Sequence, residues 1–200
     1  MGETTTTVNE QQYGFCIADV SGKGAPASLL MSNLQASLHA LVHTGLEISE
    51  MTGTINNLIY QNTGLDKFIT YFYAVLNLQE KTFTYVNAGH NPPYVFHKDG
   101  SFQTLEEGGL ILGMMPNMAY EKGTVTLKSG DCLVMFTDGV SEAMNANGEE
   151  FDEKRIEACV LDNFNLSAED VLQKIVSSVK HFAEGRPQAD DITLLLIKVH

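Results

Sequence analysis

Three carboxylate positions in this sequence share one setting. Asp19 lies near the end of the apolar run at 13–20 and precedes the glycine-rich turn Ser21-Gly22-Lys23-Gly24. Asp138 closes Cys132-Leu133-Val134-Met135-Phe136-Thr137 and precedes Gly139. Asp190-Asp191 opens the last apolar run, from Ile192, after the loop Gly185-Arg186-Pro187-Gln188-Ala189. A carboxylate at the end of a buried strand is rigidly held, and its tip can face a pocket. Three such groups brought together would repel one another unless cations sat between them. Hard oxygen donors with no nearby His or Cys pattern suit Mg²⁺ or Mn²⁺ rather than zinc. Gly22, Gly24 and Gly139 would let the backbone approach closely, and a carbonyl beside Asp19 is a further oxygen donor. The plain alternative is turn chemistry, because Asp before Gly is common in turns. On residue types alone both readings stay open.

Other chemical signals fail on spacing. Gly22-Lys23 is not a phosphate-binding P-loop, since Ile17 and Gly24 stand where that pattern needs glycine and Ser or Thr. Gly139-Val140-Ser141-Glu142-Ala143 ends in alanine where a nucleophile elbow needs glycine. His90, in Asn87-Ala88-Gly89-His90-Asn91-Pro92-Pro93, reads as a structural histidine in a strand-terminating turn. His39 and His43 are four apart but lack the intervening Glu of a zinc helix, so they read as a solvated face.

The elements that must carry these acids follow from periodicity. Residues 13–20 are a short buried strand. Pro26 suits a first helical turn, and Leu30, Leu34, Leu38 and Leu41 predict an amphipathic helix over 25–43, ended by Gly45. A second helix fits 47–62. Residues 68–78 are β-branched and aromatic, hence strand, with a hairpin mate at 82–87. Short strands fit 94–97, 102–105, 123–127 and 131–137. A helix fits 151–161, and Ser167-Ala168-Glu169-Asp170 is a capping box opening another helix. Arg186-Pro187 ends that region, and 192–199 is a terminal strand. Strands and helices come in blocks, which predicts an α+β fold with mostly antiparallel sheets.

The chain has 200 residues, 44% of them hydrophobic, which suits one domain. Twelve Lys and Arg against 25 Asp and Glu give a net charge of −13, which argues against nucleic acid and anionic membranes as partners. No apolar run approaches the roughly 20 residues of a transmembrane helix, and no signal peptide opens the chain. Cys16, Cys132 and Cys159 are odd in number and lack CxxC spacing. They predict buried thiols in a reducing, cytoplasmic compartment. Residues 1–7 lack apolar periodicity and read as a leader or tail, with the structured domain over 8–200. The abrupt start of the strand at 13 calls for an earlier partner, so further domain and a sensor module are expected upstream.

Taken as a set, Ala18-Asp19-Val20-Ser21-Gly22-Lys23-Gly24, Asn87 to Pro93, Phe136-Thr137-Asp138-Gly139-Val140-Ser141-Glu142-Ala143 and Asp190-Asp191-Ile192-Thr193-Leu194 give a specific match. Over residues 8–200 the chain resembles the SpoIIE/RsbU-type bacterial branch of the metal-dependent serine/threonine protein phosphatases, relatives of protein phosphatase type 2C. The resemblance implies an αββα sandwich of two mostly antiparallel sheets flanked by helices, with two Mn²⁺ or Mg²⁺ ions. It implies that Asp19 is shared by both ions, that the Val20 carbonyl is a backbone ligand, and that Asp138 and Asp190 complete the second ion's shell. Asp191 would stand just outside. The implied reaction is hydrolysis of phosphoserine or phosphothreonine on a protein by a metal-bridged hydroxide. The implied substrate is a STAS-domain anti-anti-sigma factor, so that turnover regulates a sigma factor; a homodimer is also contemplated. The branch usually carries a Gly-Gly-Asp segment just upstream, whereas Glu3 is the sole acid of residues 1–7. A phosphatase-fold module that binds a STAS-type partner without turnover is therefore the alternative, and a phosphodiesterase or nuclease a third. Arg186 and Lys23 are candidate phosphate helpers.

Overall fold

A computed structural model describes residues 2–63, 67–186, 188 and 190–200. Pro187, read above as part of the break after the last helix, lies outside them. In chain order the first elements are β1 (Gly2–Asn9), β2 (Gln12–Val20), α1 (Ala25–Leu41), α2 (Ile48–Asn62), β3 (Ile69–Asn77) and β4 (Thr82–Ala88). Next come β5 (Tyr94–Phe96), β6 (Phe102–Thr104), β7 (Gly108–Gly109), β8 (Gly123–Thr126) and β9 (Cys132–Phe136). The chain closes with α3 (Asp138–Ser141), α4 (Glu153–Asp162), α5 (Ala168–Phe182) and β10 (Leu194–Lys198). The α+β class expected from the sequence holds. Among the described residues β4–β7 is the one parallel pair of strands; the other named pairs are antiparallel. Among the described residues no helix is long and apolar enough to cross a membrane.

Two compact units divide the chain. The first takes residues 1–90 and 105–127; the second takes 91–104 and 128–200. The first holds a sheet in the order β1-β2-β3-β4-β7, with β8 also on β4. Helices α1 and α2 cover one face of it. Leu30, Leu34 and Leu38 of α1 and Met51, Ile55 and Ile59 of α2 join Cys16, Ala18, Tyr71 and Tyr73 in one buried cluster. The spacing of those helical residues is the i, i+4 stripe that the sequence displays. Ile17, Phe72 and Phe83, on the other face, are buried as well. A strand buried on both faces reads as a continuous apolar run rather than an alternation, which is why 13–20 and 68–78 are so uniformly apolar.

The second unit is a four-stranded sheet, β10-β9-β5-β6, with α4 and α5 against it. Val134 and Phe136 of β9 pack with Ile156 and Val160 of α4 and Val171, Ile175 and Val179 of α5. Ser167 caps α5: its Oγ accepts from the Asp170 amide at 3.1 Å and donates to Asp170 Oδ2 at 2.6 Å, so the carboxylate of the sequence's capping box meets the cap hydroxyl. At the start of β9, buried Asp131 accepts from the Lys128 amide and pairs with His97 Nδ1 at 3.0 Å. All three cysteines are free; Cys16 and Cys132 are buried, and Cys159 is half-buried.

Residues 2–7, part of the stretch read from the sequence as a leader or tail, are paired. β1 runs antiparallel to β2 from Gly2↔Ala18 to Asn9↔Gln12. It is the earlier partner that the abrupt start of β2 calls for. Threonine suits an extended edge position through its β-branching, but a run of four leaves no apolar alternation to read.

Candidate metal centre

In the first unit, β2 delivers Asp19 opposite Thr70 of β3, and Val20 opposite Ile69. Asp19 is half-buried, and its Oδ1 accepts the Val20 amide at 2.9 Å. Beyond the strand, the Ser21 amide donates to the Phe68 carbonyl, and Ser21 Oγ accepts the Phe68 amide at 2.9 Å. That pair fixes the direction in which the chain leaves Val20. Gly22 and Gly24 then take φ values of 86° and 82°, a left-handed region that ordinary side chains avoid. Helix α1 starts immediately after.

The Asn87–His90 turn stands beside this strand end. Asn87 Oδ1 accepts the His90 amide at 2.8 Å, while its Nδ2 donates to the carbonyls of His90 and Leu105. His90 is buried, with Nδ1 3.0 Å from Thr70 Oγ1. The structural reading of His90 fits this arrangement, and Asn87 is the residue that builds the turn. His39 and His43 are exposed.

In the second unit, the chain leaves β9 at Thr137 and turns at once into α3, whose first residue is Asp138. Thr137 is fully buried and joins two segments. Its amide donates to the Thr193 carbonyl at 3.2 Å; its Oγ1 accepts the Thr193 amide at 3.1 Å and donates to the Asp191 carbonyl at 3.3 Å. The Asp190-Asp191 backbone lies directly over Gly139. A Cβ at that glycine would sit 2.2 Å from the Asp191 carbonyl oxygen and 3.2 Å from that of Asp190. Asp138 and Asp190-Asp191, 52 positions apart in sequence at their closest, are thus fastened side by side by one threonine and one missing side chain.

The electrostatics of this cluster are unbalanced. Asp138 Oδ1 is buried with no hydrogen-bond partner, an arrangement that is costly for a carboxylate. Asp190 Oδ1 accepts the Asp191 amide at 2.8 Å. Glu142, exposed just after α3, has its carboxyl pushed above the usual range by partial desolvation first, then by the charges of Asp138, Glu150, Asp190 and Glu153. An orphaned buried carboxylate oxygen among like charges is what a hard divalent cation relieves. The residues present fit such an ion. Among the described residues, no three His, Cys, Asp or Glu side chains are gathered closely enough to hold one by themselves. Asp19 and Val20 belong to the first unit; Asp138, Asp190 and Asp191 belong to the second, and the second brings its own acids together.

Sequence reasoning missed Thr137 and Glu142. Both lie within the string that marks Asp138, yet Thr137 reads as one more strand residue and Glu142 as a surface acid. Arg186 donates from Nη2 to the Ala146 carbonyl at 3.3 Å, so it anchors the loop after α3. Lys23 is exposed.

Comparison with known proteins decides the family. The sequence model of Stage II sporulation protein E (SpoIIE) matches residues 9–200. The chain belongs to the SpoIIE family. Phosphoserine phosphatase RsbU of Bacillus subtilis is 32% identical over 191 residues, covering 95% of this chain and 56% of RsbU. The chain thus spans little more than half of that relative. Among solved structures, the PP2C phosphatase domain of SpoIIE from Bacillus subtilis, with a fragment of its regulatory domain, superposes with a TM-score of 0.83. It is 18% identical, and the match covers 99% of this chain and 58% of that one. RsbX in complex with magnesium superposes with a TM-score of 0.71 at 16% identity, covering 98% of this chain and 84% of RsbX. This SpoIIE-family chain therefore has the PP2C phosphatase fold that the sequence resemblance implied.

Proposed function

We propose that this SpoIIE-family chain hydrolyses phosphoserine or phosphothreonine on a protein substrate with two Mn²⁺ or Mg²⁺ ions. The observation that carries the reading is the bare, buried Oδ1 of Asp138, stapled beside Asp190 in an acidic cluster. Kinship with RsbU, itself named a phosphoserine phosphatase, supports the reaction class. The magnesium complex of RsbX supports the type of ion. Asp19, the Val20 carbonyl, Asp138 and Asp190 are the ligands of this reading, with Asp191 just outside them. When bound, the ions supply Lewis acidity: they neutralise phosphoryl charge and make water a better nucleophile near neutral pH.

The chain's own residues supply position. Thr137 holds the Asp138 and Asp190 segments in one register, so their oxygens need no rearrangement at the moment of reaction. Gly139 lets the Asp190-Asp191 backbone lie against α3. Ser21 fixes the exit of the Asp19 strand. The excess of acids over bases selects against nucleic-acid substrates, which sets the phosphodiesterase or nuclease reading aside. We assign the substrate to the phosphorylated STAS-domain anti-anti-sigma factors, the activity to sigma-factor regulation, and the site of action to the cytoplasm.

The test is phosphate release from a phosphoserine STAS-domain protein with and without Mn²⁺, alongside titration calorimetry of Mn²⁺ binding. Turnover that requires Mn²⁺ and falls more than about 100-fold in Asp138→Asn, with weaker Mn²⁺ binding, is the expected result. Unchanged turnover in Asp138→Asn rejects the site. Partner binding with no turnover at any metal concentration replaces the enzyme reading with the binding-module reading.

A further inference from the structure

Beside Asp190, the second unit opens a cavity of about 680 Å³, within the range of pockets that bind small molecules or short chain segments. Its lining is mostly apolar: Ala143 and Met144 after α3, Val179 and Ala183 from the end of α5, and Ile192 at the entry to β10. Met144 is 46% exposed, an unbranched side chain that adapts its shape to an apolar guest. Gly139, Glu142 and Asp190 line the same cavity, so it is continuous with the acidic cluster around Asp138. Lys180 and Arg186 line it too. Two cations in one cavity are notable in a chain with 12 Lys and Arg against 25 acids. Arg186 is tethered through Nη2 to the Ala146 carbonyl, and a guanidinium so held has further donors to offer.

We infer that this cavity is the docking groove for the polypeptide that flanks the phosphorylated residue, and that it selects an apolar side chain followed by a carboxylate. The inference rests on the phosphatase reading and adds its specificity. A substrate whose phosphate reaches Asp138 and Asp190 must lay adjoining residues against Gly139 and the surfaces beyond it. There the apolar lining gains from covering an apolar side chain and removing both surfaces from water. Lys180 and Arg186 are complementary to an acid and repel a basic residue. The acids at the metal end disfavour a second carboxylate close to the phosphate, so the preferred acid stands beyond the apolar residue.

Three phosphoserine peptides test this with the full chain in Mn²⁺. One has leucine next to the phosphoserine and glutamate beyond it; one has glycine and serine there; one has leucine and lysine. The leucine–glutamate peptide is expected to exceed the glycine–serine peptide at least tenfold in kcat/KM, mainly through KM. It is also expected to show the lowest Kd by fluorescence anisotropy, which needs no turnover. Lys180→Glu with Arg186→Glu should reverse the preference between the glutamate and lysine peptides. Met144→Asp, at an exposed position, should weaken both leucine peptides. Hydrolysis of p-nitrophenyl phosphate by the unaltered chain separates the two layers of the argument. If it is hydrolysed while the three peptides share one KM and one Kd, the groove is overturned and the phosphatase reading stands. If neither it nor any peptide is hydrolysed, the phosphatase reading fails and the groove falls with it.

Discussion

Asp19 and Asp138 both stand where a buried strand stops, but the two units hold them by different means. The Asp19 strand is ladder-bonded on both sides, to β1 and β3. Its carboxylate accepts the next residue's amide, and Ser21 extends the β3 pairing through its hydroxyl. The Asp138 strand ends in a one-turn helix, and position comes from Thr137, which clasps the Asp191–Thr193 segment. Asp138 Oδ1 is left bare. The first acid is placed by backbone regularity and is partly satisfied; the second is placed by one side chain and is not. Satisfied acids tolerate an empty site, and bare ones do not.

The sharpest way to break this comparison is to neutralise each acid in turn. Asp138→Asn should cost more than about 100-fold in turnover. In metal-free protein it should also raise stability, because one negative charge leaves the crowd of acids around Glu142. Asp19→Asn should lower turnover without that gain. Thermal melts of both variants in a chelator check the contrast, and an equal rise in Tm for both would erase it.

Next in size is the clasp. Thr137→Val removes the hydroxyl that joins the segments and should lower activity by about 10–100-fold, whereas Thr137→Ser should restore most of it. Steady-state kinetics with Mn²⁺ titration read both. Ser21→Ala, its counterpart in the first unit, leaves the Phe68 amide without its acceptor and should cost about 1–3 kcal/mol in urea unfolding. Its effect on turnover should be the smaller of the two. Mn²⁺ itself should protect: at 100 times its Kd, about 2.7 kcal/mol of added stability is expected, and Asp138→Asn should forfeit most of it.

The smallest effect is alkaline. Burial pushes the Cys16 thiol from 9.0 up to about 12, and burial is the main cause lifting Tyr73 from 10.0 to about 12. Both are raised, so their neutral forms favour the fold. That contribution is whole below pH 9 and is lost as pH rises through the folded values. Tm should therefore fall by a few degrees between pH 9 and 11, and Cys16→Ala should flatten the slope in that window. Melts across the range decide it.

Much of this was legible before any coordinates. Uniform apolar runs announced buried strands, leucines four apart announced α1, and the acids at strand ends pointed to the candidate site. What stayed hidden is tertiary in origin. β1 is a threonine run whose only signal is its pairing with β2. α3 is four residues long, too short for any periodicity. Thr137 shows its role only when Asp191 and Thr193, more than 50 positions away, fold back onto it. Glu142 is the surface acid it looks like, but its neighbours Asp138 and Asp190 are set near it only by the fold.

The chain's path through its two units has a consequence during synthesis. Residues 91–104 belong with 128–200, while 105–127 belong with 1–90. A nascent chain therefore makes the β5–β6 hairpin early and must carry it with one edge unpaired until β9 emerges. The strands that complete the earlier half are made in the interval. No single protease cut or gene truncation can release either half free of a segment of the other, and a ribosome stalled after residue 127 would hold a finished half beside an orphaned hairpin, the sort of exposed edge that chaperones recognise.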